Sequence, residues 1–141
     1  MSAWRRVAIE KFPELREDVE RSESGGMLWT ELYMRFLQAH EEPVNEDLIR
    51  RCYDYAWWCF NRSHDNDLTD TVGMGFYEDL PTDPLVRERM AEHLTREQFG
   101  RAEGYLAYFL GPEKFNQFSE EFRERRKQIE QKHVPRRHRN K

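Results

Sequence analysis

The chain has 141 residues, 38% hydrophobic and 13% aromatic, enough for one packed core without disulfide or metal support even though 35% of the residues are charged. No run approaches the roughly 20 apolar residues of a membrane span, and the opening Met1-Ser2-Ala3-Trp4-Arg5-Arg6 meets charge where a secretory signal would be apolar, so a cytoplasmic protein with no membrane attachment is expected. The net charge of −4 hides two opposed regions: residues 123 to 141 carry nine Lys/Arg against two Asp/Glu, while residues 1 to 122 carry 14 against 25. An acidic body repels nucleic acid and attracts basic partners, whereas a basic tail is a handle for phosphate or for an acidic protein surface. The plain alternative is that both are solvated faces that keep the chain soluble.

Helical spacings and cap signals recur, and strand-like alternation between hairpin turns is absent. The prediction is an all-α fold of about six to seven helices, arranged as an irregular helical bundle or as a short α-α superhelix. A first helical stretch covers Trp4 to Val19, with Val7, Ala8, Phe12 and Leu15 on its apolar face and an interruption or kink at Pro13; the run Ser22 to Gly26 ends it. The second helix runs from Met27 to Glu41, and Pro43 and Asn45 then provide a break and an N-cap for the third, Glu46 to Asn61. Leu48, Cys52, Tyr55 and Cys59 share one face of that helix and Ile49, Tyr53, Ala56 and Phe60 the next. Trp57 and Trp58 widen the apolar arc, so this helix is expected at the centre, with both Trp rings in the core.

Asp67 is a plausible cap for a fourth helix, Leu68 to Leu80, stopped by Pro81. Asp83-Pro84 opens a fifth, Leu85 to Leu94, and the capping box from Thr95 to Gln98 opens a sixth that reaches Leu110. Gly111-Pro112 separates it from the last helix, where Phe115, Phe118 and Phe122 form a stripe. Beyond Arg123 only Ile129 continues that stripe, so the second half is expected to project into solvent. One domain is expected over residues 1–131, with the basic residues 132–141 disordered, because Val134 is their sole aliphatic residue.

The segments Asp67 to Leu80 and Asp83 to Leu94 both resemble the inner helix of a HEAT repeat. In the second the similarity rests on an Asp-Pro opening, the Val86-Arg87 pair and a small residue, Ala91, before the closing Leu94. The resemblance implies a short HEAT-like superhelix, although starts only 16 residues apart leave no room for the outer helix of a repeat. The run Tyr55-Ala56-Trp57-Trp58-Cys59, followed by Phe76 to Pro81, is similar to small bacterial helical proteins that include presumed immunity partners of secreted toxins. That resemblance implies a binding role and transfers no functional residues.

Chemistry-bearing patterns are sparse. Cys52 and Cys59, seven apart on one helix, stand about 10 Å apart along its axis and cannot pair, so both read as buried hydrophobes. The group His64, Asp65, Asn66, Asp67 and Asp70 lacks the Gly and Glu of a calcium loop, having Asp70 and Phe76 at those places. His40, His93, His133 and His138 show no metal-ligand spacing. Gly73-Met74-Gly75 lies in a helical pattern and reads as close packing; Gly100 and Gly104 likewise suggest the approach of a neighbouring helix. The acidic pairs Glu41-Glu42, Glu78-Asp79 and Glu120-Glu121 read as solvated faces.

No catalytic residue, cofactor site or metal site is therefore expected. The reading is a non-enzymatic protein-interaction module, with an immunity-type inhibitor of a toxin as one form, using Tyr33, Tyr77, Tyr105 and Tyr108 to keep wet hydroxyls on packed rings. The alternative is a nucleic-acid-associated protein that places Arg125, Arg126, Lys127, Arg136, Arg137 and Arg139 on phosphates or an acidic surface. Against it stand the acidic body and the scarcity of aromatics among those cations.

Overall fold

The computed structural model describes residues 1–62 and 66–132, and among these it is all-α, with nine helices and no strand. They are α1 (Ala3–Lys11), α2 (Arg16–Arg21), α3 (Gly25–Ala39), α4 (Glu46–Phe60), α5 (Asn66–Val72), α6 (Pro84–His93), α7 (Arg96–Arg101), α8 (Glu103–Ala107) and α9 (Gly111–Lys132). None of them is long and apolar enough to cross a membrane.

Local chemistry sets most of the boundaries. The side chains of Ser24, Asn45 and Asp83 accept the first free backbone N–H groups of α3, α4 and α6. Thr95 and Gln98 exchange the reciprocal bonds of a capping box, 2.9 and 3.1 Å, at the start of α7. Each cap contributes about 1 kcal/mol. Pro13 ends the first stretch and starts a 3-10 turn, Pro13–Leu15, that separates α1 from α2. With no N–H to give and a ring that blocks the preceding turn, it cannot continue the helix.

Nine helices stand where seven stretches were expected because the first divides at Pro13 and the sixth at Ala102; the fourth also breaks, without adding an α-helix. The helix expected from Leu68 to Leu80 stops as α5 at Val72 and widens into a π-helical turn, Gly73–Tyr77, closed by Glu78 N–H donating to Gly73 O at 2.9 Å; a 3-10 turn, Leu80–Thr82, follows. Asp67, expected as its cap, lies inside the first turn of α5. The helix opened by Thr95 breaks at Ala102 (φ −93°, ψ 4°) into α7 and α8, with a glycine two residues to either side. Glycine is a weak helix former. No heavy atom lies within 4 Å of where a Cβ would sit on Gly100 or Gly104, so neither admits a neighbouring helix as expected. Of the two HEAT-like segments, α6 is a regular capped helix and the first is the one that breaks.

α4 lies at the centre, against α1, α3 and α5. Phe76, fully buried, meets the rings of Trp29, Phe36, Tyr53 and Tyr77 at centroid distances of 5.0–5.4 Å, and Trp29 stacks on Tyr55. The Tyr55 hydroxyl donates to Trp4 O at 2.8 Å, tying α1 to α4. Cys52 and Cys59 are buried and form no disulfide among the described residues, as expected. Trp57 and Trp58 differ from the expectation. They are half-buried, Trp58 packed against the edge of the core, and each lies beneath a guanidinium: Arg101 at 5.3 Å from the Trp57 centroid and Arg62 at 4.2 Å from that of Trp58.

A second aromatic group, Phe99, Phe115, Phe118 and Phe122, joins α7 to α9. The far half of α9 does not project. Arg125 and Arg126 donate to the α6 carbonyls of Arg87 (3.2 Å) and Ala91 (2.9 Å), Arg96 makes a two-pronged pair with Glu130 (3.0 and 3.1 Å), and Ile129 packs on the core. Polar groups dock this half, and an apolar stripe does not record them. Residues 133–141, most of the expected tail, lie outside the described residues.

Candidate functional site

Most large hydrophobic side chains of the described residues are enclosed, so the exposed ones mark where the surface departs from that rule. Met74 (62% exposed), Tyr108 (69%) and Phe109 (56%) gather at one place. Met74 and Tyr108 line a hollow of about 500 Å³ together with Glu78, Arg101, Gly104 and Tyr105. Phe109 continues the apolar surface, its ring 5.1 Å from that of Tyr108.

The hollow exists because of the two helix breaks. The π turn carries Met74 on its outer side and leads to Glu78, while α7 ends at Arg101 and α8 presents Gly104, Tyr105 and Tyr108. Tyr105 lies against Gly73 so closely that a Cβ there would be 2.3 Å from its Cε1, which only glycine permits. The Tyr105 hydroxyl donates to Asp70 Oδ1 at 2.7 Å, and that bond, with lesser help from burial, pushes the phenol up to about 12. Tyr105 is thus a fixed, protonated wall. Gly104 leaves the opening clear.

Polar groups are few in the hollow. Glu78 is 8% exposed, and its carboxylate has no hydrogen bond or ion pair among the described residues; burial, then the nearby Asp79, pushes its pKa up. Arg101 is committed to the face of Trp57. The basin is thus largely apolar, with a carboxylate and a guanidinium among its lining residues.

Two of the four tyrosines expected to contact a partner, Tyr105 and Tyr108, meet in this hollow. Tyr33 is half-buried elsewhere, its ring against Phe36 and Phe76 and its phenol pushed up by burial. Tyr77 corrects the expectation of a wet hydroxyl: it is 1% exposed, its ring packs on Phe60 and Phe76, and its hydroxyl makes no hydrogen bond among the described residues. The π turn rotates it inward. Arg125 and Arg126 are half-buried and occupied by α6 carbonyls and by Glu121 and Glu130, so neither is free for phosphate, whereas Lys127 is exposed. Arg136, Arg137 and Arg139 lie outside the described residues.

Met74, Glu78, Arg101 and Phe109 were not foreseen as site residues. One signal was present: Tyr108-Phe109 directly before Gly111-Pro112 puts two large rings at a helix end, where there is little core left to cover both. Elsewhere, Glu46, Glu92 and His93 form the one group of metal-ligating type among the described residues whose ligand atoms all lie within 4.8 Å of one another. Compared with family models, with curated proteins and with solved structures, the chain matches none.

Proposed function

We propose that this chain is a non-enzymatic protein-interaction module that seats its partner on the surface formed by Met74, Tyr105, Tyr108 and Phe109. The carrying observation is that two large side chains more than half exposed, Met74 and Tyr108, line a preformed hollow, and a third, Phe109, extends that surface beside Tyr108. Exposed apolar area of this kind is retained where it is covered in a complex, and Tyr and Met are side chains that bind well without a fixed shape in the partner. An immunity-type inhibitor of a toxin is one function of this kind, and the acidic body favours a basic partner. Two buried cysteines outside any disulfide go with a reducing compartment such as the cytoplasm.

Nucleic-acid association gains less support, because Arg125 and Arg126 are already engaged by α6. The two readings separate in one experiment: affinity capture from the native host with the full chain and with a chain lacking residues 133–141. A protein partner held equally by both supports the proposal. Recovery of nucleic acid that is lost with the truncation would replace it with the alternative.

A further inference from the structure

The start of α4 and the end of α6 bring together two carboxylates and an imidazole that lie far apart in the sequence. His93 Nε2 stands 3.6 Å from Glu46 Oε2 and 4.0 Å from Glu92 Oε2. Both separations are too long for hydrogen bonds. Nε2 is nevertheless buried and makes no hydrogen bond among the described residues. Ligands held about 2.0–2.2 Å from a tetrahedral zinc ion stand about 3.4 Å from one another, so small rotations of two exposed Glu side chains would close this set around a cation.

The surroundings favour such a set. The His93 ring is held by stacking on Tyr53, 5.0 Å between centroids and 13° between planes. Arg89 meets Glu46 through Oε1, leaving Oε2 turned to His93, and its Nε lies 3.5 Å from Glu92 Oε2. Through its contact with Oε1 it orients the Glu46 carboxylate as an outer-shell partner does.

A second observation is independent of these three residues. His40 is 4% exposed, and its Nδ1 lies 2.8 Å from Phe36 O, which fixes the proton on Nδ1 and leaves Nε2 as a bare acceptor. That Nε2 is buried with no hydrogen bond among the described residues, and His40 lines a polar hollow of about 440 Å³ together with Glu92 and Arg89. His40 and His93 thus each keep a buried Nε2 with no hydrogen bond among the described residues, and the hollow that His40 lines is shared by one of the two carboxylates, Glu92.

We propose that Glu46, Glu92 and His93 bind a divalent cation of the zinc type, clamping the start of α4 to the end of α6. An imidazole with two carboxylates selects zinc over magnesium or calcium, and three protein ligands leave a fourth position for water. The site shares no residue with the Met74–Tyr108 surface and stands or falls apart from the function proposed above.

The test is calorimetric titration of the full metal-free chain with zinc chloride, together with thermal melts with and without zinc. One equivalent should bind and raise the melting temperature. Glu46→Gln and Glu92→Gln, both at exposed positions, should melt like wild type without zinc, bind it at least about tenfold more weakly and lose the zinc-induced rise. A chain with His133→Asn and His138→Asn should bind like wild type. Absence of zinc uptake at micromolar concentrations, undiminished uptake in both Glu variants, or loss of uptake in the His133/His138 variant would each overturn the site. Should a Glu variant melt lower without zinc, the visible spectrum of the cobalt(II) form decides: bands that require the His93 nitrogen must vanish in His93→Gln, and bands that persist there would overturn it.

Discussion

The aromatic residues of α4 and those at the end of α8 are the same kinds of side chain with opposite fates. Tyr53 and Tyr55 of α4 are 5% and 1% exposed, enclosed by Trp29, Phe36 and Phe76, whereas Tyr108 and Phe109 are 69% and 56% exposed. The difference lies in the helices that carry them. α4 has 15 residues and lies against α1, α3 and α5, which enclose Tyr53 and Tyr55; α8 has five and ends at Ala107, and Tyr108 and Phe109 follow in the turn before α9. Rings of the first kind hold the fold together. Those of the second kind, mostly exposed, are expected to contribute little to stability and, on the proposed function, to meet the partner.

Substitutions should separate the two regions by size of effect. Trp29→Ala removes a ring that packs on both Tyr55 and Phe76 and should lower stability by about 3–5 kcal/mol, the range for a large buried aromatic. Denaturant unfolding measures it, and a loss under 1 kcal/mol would mean that the core is looser than described.

Gly73→Ala sits on the border between the regions. Its methyl group would enter the Tyr105 ring, so the ring or the π turn must shift, and the expected loss is about 1–3 kcal/mol with a reshaped hollow. The same change at Gly104, where nothing lies within 4 Å, should not destabilise; equal losses at the two glycines would remove the argument for a Tyr105 wall.

A smaller effect should appear with pH. Burial, partly offset by the bond to Phe36, holds the pKa of His40 below its ordinary 6.5, while the nearby Arg89 lowers it further and Asp83 raises it. The unfolded chain therefore takes up this proton first as pH falls. The contribution of the buried neutral ring is complete above about 6.5 and is lost as pH drops towards the folded value. The melting temperature should decline from pH 7.5 to 5.5, and His40→Gln should flatten that decline. Glu78 and Asp79, whose pKa values burial pushes up, act in the opposite sense. A slope unchanged by His40→Gln would contradict the assignment.

How far the sequence could be read follows the same division. The all-α class, the Pro13 break and the caps at Asn45, Asp83 and Thr95 were legible because each depends on residues within one turn of its effect. The break after Val72 was not, because it accommodates Tyr105, which belongs to another helix. Docking of the end of α9 was hidden for a different reason: Arg125 and Arg126 bind backbone carbonyls, which hydrophobic spacing cannot register. At the hollow, Tyr105 and Tyr108 were legible as amphipathic rings, but Met74 and Phe109 were not, since their exposure results from the two breaks. Tyr77 shows the converse error, a phenol turned into the core by the π turn.

The central claim, that the end of α8 and the π turn serve binding and not stability, is tested most directly by Tyr108→Ala combined with Phe109→Ala. Surface truncations of this kind should shift stability by no more than about 0.5 kcal/mol each. The account predicts a melting temperature within a few degrees of wild type and loss of the protein partner in parallel affinity captures. A partner retained at wild-type level by the fully folded variant would contradict it, and a drop in stability comparable to that of Trp29→Ala would show that these rings belong to the core after all.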